Sequence, residues 1–157
     1  MTEVMDKIDQ KEHQQYATVV ISDQLFGIAV ECVQDVLAAQ NITRIPLAPP
    51  EVAGALNLRG RIVTAIDVRT RLGLPPIEQQ SQKMSVVVEY KGEPYSLNID
   101  AVGEVLTLPL DRFEANPPTL DAVWRDISTG VYRLDGKLLV IVDVERLLNI
   151  NLGTVAA

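Results

Sequence analysis

Apolar and polar residues alternate with period two along much of this chain, the pattern of half-buried strands. Phe26, Ile28 and Val30 share one face of such a run, and Tyr95, Leu97 and Ile99 share one face of another. A β-rich run precedes each, Ala17–Ile21 in the first case and Val86–Tyr90 in the second. Two more strands are predicted at Ile62–Ile66 and Leu138–Val142. The period changes at Cys32, Val33, Val36 and Leu37, whose i, i+1, i+4, i+5 spacing predicts a short helical turn. Arg59-Gly60 and Asp135-Gly136 predict tight hairpins, with Gly60 and Gly136 as turn residues. Asp-Gly is the stronger signal, because both central residues of such a turn need positive φ. Asp67 and Asp143 each end a strand and precede DVRTRL and DVERLL, where an aspartate caps a short helix. All nine prolines fall in segments that read as connections.

The pattern occurs twice. Gly54–Leu74 aligns without gaps on Gly130–Ile150, with Gly54/Gly130, Leu58/Leu134, Gly60/Gly136, Asp67/Asp143, Val68/Val144 and Leu72/Leu148 identical. Upstream, TVVIS at Thr18–Ser22 matches SVVVE at Ser85–Glu89, and FGIAVECVQDVL from Phe26 matches YSLNIDAVGEVL from Tyr95. Two blocks in the same order with glycines in register indicate a structural duplication. The expected organisation is a flexible tail over 1–14, a domain over 15–150 and a tail over 151–157. Within the domain, halves at 15–74 and 83–150 flank a linker at 75–82. Short strands, closely spaced turns and brief helices point to an all-β fold of two small barrels. A half of this size buries little surface alone, so the two should share an apolar junction.

Composition narrows the chemistry. The chain has 157 residues, 47% hydrophobic and 22% charged, enough for a packed core. Its net charge of −7 argues against a nucleic-acid partner, which needs a basic surface. One cysteine and one histidine, Cys32 and His13, leave no disulfide framework and almost nothing for metal ligation or histidine catalysis. The N-terminus lacks the cationic start and apolar core of a secretory leader, and no apolar run approaches the roughly 18–20 residues that span a bilayer. A cytoplasmic protein is the simple expectation.

Among single residues, Asp67 and Asp143 are the most tempting catalytic carboxylates. An enzyme built on them requires the two to converge on one pocket, whereas capping puts them on separate barrels. Cys32 has acidic neighbours, Glu31 and Asp35, which raise a thiol pKa, so it reads as a core cysteine. Trp124 reads as a rim aromatic capping its barrel. Between Thr18 and Gln82 the only basic residues are Arg44, Arg59, Arg61, Arg69 and Arg71, and arginine without lysine favours bidentate carboxylate pairing. Arg59, at a hairpin tip, faces either a partner or Asp35. By segment the charge is −2 through Gln15, −1 over Tyr16–Gln82 and −4 from Lys83 onward. The arginines thus lie in a nearly neutral first half.

At NLRGRIVTAIDVRTRLG, Asn57–Gly73, the sequence resembles the CheW family of chemotaxis coupling proteins. The opening YATVVISDQLFGIAVECVQDVL, ITRIP at Ile42–Pro46 and the closing IVDVERLL fit the same resemblance, which runs from about Gln15 to Asn149. It implies two pseudo-symmetric five-stranded SH3-like barrels around a common core, with no catalytic activity, no metal and no cofactor. It also implies two partners, methyl-accepting chemoreceptors and the regulatory domain of the histidine kinase CheA, and a place in membrane-associated receptor arrays. Carried over by position, receptor contacts fall at Val30, Val33, Asp35, Val36, Val102 and Val105. The kinase-facing surface includes Ile42, Arg44, Ala53, Gly54 and Arg59. The sequence departs from the family pattern at Asp35, where glutamate is common. The same fold in another chemosensory system, controlling type IV pili or a second messenger, is the alternative.

Overall fold

The computed structural model describes residues 12–38, 42–75 and 84–149. Most of the expected N-terminal tail and linker, and the whole C-terminal tail, lie outside them. Strands dominate: β1 (His13–Ile21), β2 (Gln24–Ala29), β3 (Val33–Ala38), β4 (Val52–Leu58), β5 (Arg61–Asp67), β6 (Met84–Tyr90), β7 (Glu93–Ile99), β8 (Ala101–Pro109), β9 (Ser128–Leu134) and β10 (Lys137–Val142). Helices are short: α1 (Val68–Arg71), α2 (Ala122–Ile127) and α3 (Val144–Leu147), with 3-10 turns at Val30–Cys32 and Leu110–Arg112.

The strands form two five-stranded sheets, ordered β8-β1-β2-β10-β9 and β3-β6-β7-β5-β4. Replacing each strand by its repeat equivalent converts one order into the other, so the duplication is structural. The sheets do not correspond to the sequence halves. The second takes every strand from Val33 to Ile99, while the first takes β1 and β2 from one half and β8, β9 and β10 from the other. One barrel is therefore inserted in the chain of the other. The chain crosses between them twice, at Val30–Cys32 and at Asp100.

Three apolar clusters follow from this arrangement. The largest lies between the sheets and joins Val19, Phe26 and Ile28 of the flanking barrel to Ile66, Val86 and Leu97 of the inserted one. This is the shared junction that the small size of each half requires. A smaller cluster fills each barrel: Tyr16, Tyr132, Leu139 and Ile141 in the flanking barrel, Leu56, Val63 and Ala65 in the inserted one. Trp124 packs edge-on against Phe26, ring centroids 5.5 Å apart, so it covers the core shared by the two barrels and does not cap one barrel as expected.

The structure corrects three local expectations. Residues 33–38 form a strand, not a helical turn. The ladder with β6 shifts between Val33 and Asp35, which makes Gln34 a bulge, yet burial alternates throughout β3. The helix-like spacing arises because an aspartate takes an inward position, Asp35, and a valine an outward one, Val36. The weaker hairpin signal made the more demanding turn: Arg59 and Gly60 have φ of 55° and 84°. At Asp135-Gly136 only Gly136 is positive, at 76°, as in turns that ask for it at the second residue alone. Pro94 lies inside β7, at a position where pairing with β5 has not begun; that ladder starts at Tyr95.

Candidate functional site

β3 and β8 are repeat equivalents, and each is the edge strand of its sheet. Val33 and Val102, equivalent residues, are half-buried and pack on the core shared by the barrels. Val36 and Val105, also equivalent, stay 41% and 57% exposed. The expected receptor-facing valines thus divide into a pair that supports the surface and a pair that offers it. β8 carries the matching irregularity, where Val105 pairs with Ala17 and Val102 with Val19. Bulges re-aim side chains at the edges of small barrels, and both exposed valines follow one. Val30, in the first crossing, borders an open groove of about 600 Å³ with His13, Gln15, Glu31 and Thr107.

The β4–β5 hairpin is held by its own sequence. In NLRG, the Gly60 amide donates to Asn57 Oδ1 at 3.0 Å, which pins the turn and projects Arg59. The Arg59 side chain is 80% exposed, and its Nη2 lies 3.0 Å from Asp35 Oδ2. Asp35 also accepts the Val36 amide at 2.9 Å. The aspartate, shorter than the glutamate of the family pattern, still makes this pair. It ties the edge strand of the valines to the hairpin expected to face the kinase. Behind the hairpin, half-buried Ile42 and Ala53 pack on Leu56, Val63 and Ala65, and Arg44 is exposed. Gly54 is buried with φ of 151°, and a Cβ there would run into the Thr43 carbonyl. Gly130, its equivalent, is pressed in the same way against Phe113 and Glu114. Gly54 serves this surface through close backbone approach, not through contact of its own.

Strand exchange changes the charge contrast. Val33–Ile99, which contains the inserted barrel, has seven Lys and Arg against six Asp and Glu. Residues 12–32 and 100–149, which build the flanking barrel, have five against twelve. The contrast is sharper than the sequence halves suggest. At the ion pair it is local: the equivalents of Asp35 and Arg59 are Glu104 and Asp135, two acids with no pair to make.

A family model described as CheW-like domain matches residues 15–151. The chain belongs to the CheW-like family. It is 26% identical to the chemotaxis protein CheW of Klebsiella aerogenes over 136 residues, 87% of this chain and 82% of the relative. The probable chemotaxis protein CheW of Rhizobium etli is 25% identical over 81% of this chain and 82% of its own length. A solved structure, the scaffolding protein TtCheW from Thermoanaerobacter tengcongensis, superposes with a TM-score of 0.78 at 28% identity. That match covers 88% of this chain and 94% of TtCheW. Protein PilI of Pseudomonas aeruginosa is also similar, 29% identical over 69% of this chain and 61% of PilI.

Within this CheW-like fold the two tempting carboxylates are caps. Asp67 accepts the Thr70 amide, and Asp143 accepts the amides of Glu145 and Arg146. They end strands of different sheets, the arrangement that capping predicts. The Cys32 thiol is pushed up by burial, then by Glu31 and Asp143, the environment of an inert cysteine. Among the described residues no group of His, Cys, Asp and Glu is arranged to hold a metal, and no helix is long and apolar enough to cross a membrane.

Sequence reading missed the most constrained ion pair. Arg69 Nε and Nη2 donate to Asp100 Oδ1 and Oδ2 at 2.7 and 2.5 Å, and Nη1 donates to the Pro75 carbonyl. The Ser22 amide reaches Asp100 Oδ2 at 2.8 Å. Arg69 is the bidentate arginine that composition predicted, but its carboxylate stands in the other half, at the second crossing. Ile62 lies in a strand as expected and is 72% exposed.

Proposed function

We propose that this chain is a non-catalytic cytoplasmic adaptor that couples methyl-accepting chemoreceptors to the regulatory domain of a CheA histidine kinase at membrane-associated arrays. One observation supports the reading beyond family membership: Arg59, assigned to the kinase surface, is ion-paired with Asp35, assigned to the receptor surface. On one side stand Val30, Val33, Asp35, Val36, Val102 and Val105, assigned to the receptor. On the other stand Ile42, Arg44, Ala53, Gly54 and Arg59, assigned to the kinase. Coupling of this kind is a free-energy link between two binding sites and needs no chemistry in the adaptor.

The test is co-sedimentation of the chain with a receptor cytoplasmic fragment and a CheA regulatory domain. Binding to both is expected, and binding to neither refutes the proposal. Arg59→Ala should keep the fold by circular dichroism yet lose receptor control of kinase activity in a reconstituted array. Unchanged control removes Arg59 from the coupling path. The resemblance to PilI favours a second reading, the same adaptor role in a different chemosensory system. Preferential binding to the kinase of such a system, over a chemotaxis CheA, would select it.

A further inference from the structure

The two barrels are filled differently. Tyr132, Leu139 and Ile141 pack inside the flanking barrel, and their repeat equivalents in the inserted barrel are Leu56, Val63 and Ala65. The inserted barrel has the smaller side chain at all three positions. The facing strand compensates little. In the flanking barrel Gly27 makes room, since a Cβ there would crowd Ile141 Cδ1 at 2.9 Å. Its equivalent, Ser96, adds only a hydroxymethyl group, and that hydroxyl is buried and unpaired among the described residues.

The inserted barrel opens at one end as a cavity of about 140 Å³. Leu58, Val63, Val87 and Pro94 supply its apolar walls, and Asp35, Arg59 and Arg61 stand at its rim. The volume is well below the roughly 300–1,000 Å³ of small-molecule pockets, and it suits one branched aliphatic side chain. The rim carries two guanidinium groups and one of their carboxylate partners. Arg61 is exposed and makes no ion pair among the described residues.

We infer that this mouth receives a single leucine or isoleucine of the docking kinase domain, flanked by a carboxylate that Arg61 and Arg59 bind. The inference rests on the functional reading above and specifies how its kinase surface selects a partner. An aliphatic anchor in a desolvated pocket with charges at the rim is the usual anatomy of an interaction hot spot. In the flanking barrel the equivalents of Leu56 and Val63 are Tyr132 and Leu139, larger side chains that occupy the corresponding interior.

The experiment borrows the repeat. Val63→Leu installs the residue of the flanking barrel and fills the cavity from within. The variant should keep its circular dichroism spectrum and its binding to a receptor cytoplasmic fragment, while affinity for a CheA regulatory domain falls about tenfold or more. Arg61→Glu, at the exposed rim, should weaken kinase binding and flatten its dependence on salt. It also carries the test where Val63→Leu fails to fold. Wild-type kinase affinity in either folded variant overturns the inference. A wild-type chain that binds no kinase domain overturns the functional reading, and this inference with it.

Discussion

Asp100 holds three segments at one point. Its carboxylate takes a bidentate guanidinium from Arg69 in α1 and an amide from Ser22 in the β1–β2 turn, while its own amide donates to the Val20 carbonyl. The Arg69 and Asp100 side chains are 15% and 16% exposed, so truncating either leaves a mostly buried charge without its partner. Asp100→Ala should cost about 3 kcal/mol, read as a shift of the urea midpoint at neutral pH. A cost below about 0.5 kcal/mol would place this pair with ordinary surface ion pairs. Tyr16 makes a different prediction. Burial raises its phenol well above the ordinary 10.0, with Tyr132 and Glu31 adding to the effect. The folded chain then holds the proton more tightly than the unfolded one, so this contribution to stability is whole below pH about 10 and declines above it. Tyr16→Phe should flatten the loss of stability between pH 9 and 11. Tyr95, raised by burial and by Glu93, leaves a residual slope.

At the scale of elements, the two aspartate caps give the most direct check. Asp143 accepts two amides of α3 at 3.0 and 3.3 Å, and Asp143→Ala should cost about 1 kcal/mol in thermal unfolding. Arg71 supports the other end of that helix by donating to the carbonyls of Leu147 and Arg146 at 2.9 and 3.0 Å. These caps were legible because strand, aspartate and short apolar helix occur twice in the same order. The NLRG turn was legible because Asn and Gly have local reasons to be there. β3 was not, since Asp35 sits at an inward position and Val36 at an exposed one, so its apolar residues do not mark its buried face. Which strands pair across copies was not legible either, for a repeat says that two segments are alike and not which neighbour each will take. The candidate site divides in the same way. Asp35 and Arg59 belong to one half, and their pairing was one of the two readings the sequence left open. Arg69 and Asp100 meet only through the crossing, and the cavity depends on side-chain volumes in strands from both copies.

The largest core cluster belongs to both barrels, which predicts a single cooperative unfolding transition. Trp124 fluorescence, which reports the shared core, should therefore change with the same midpoint as far-ultraviolet circular dichroism, which reports the strands of both barrels. Two separated midpoints would show that the barrels unfold independently. The insertion also dictates a schedule. On a ribosome the chain leaves N-terminus first. All five strands of the inserted barrel have been made once Ile99 has emerged, when β1 and β2 still have no third strand to close on. His13 must wait for Pro109 and Leu25 for Leu139, the longest-range pairings in the protein. The earliest strands are thus among the last to find their neighbours. Until β8 and β10 have been made the edges of β1 and β2 stay unpaired, and that interval is where this fold is most open to mispairing.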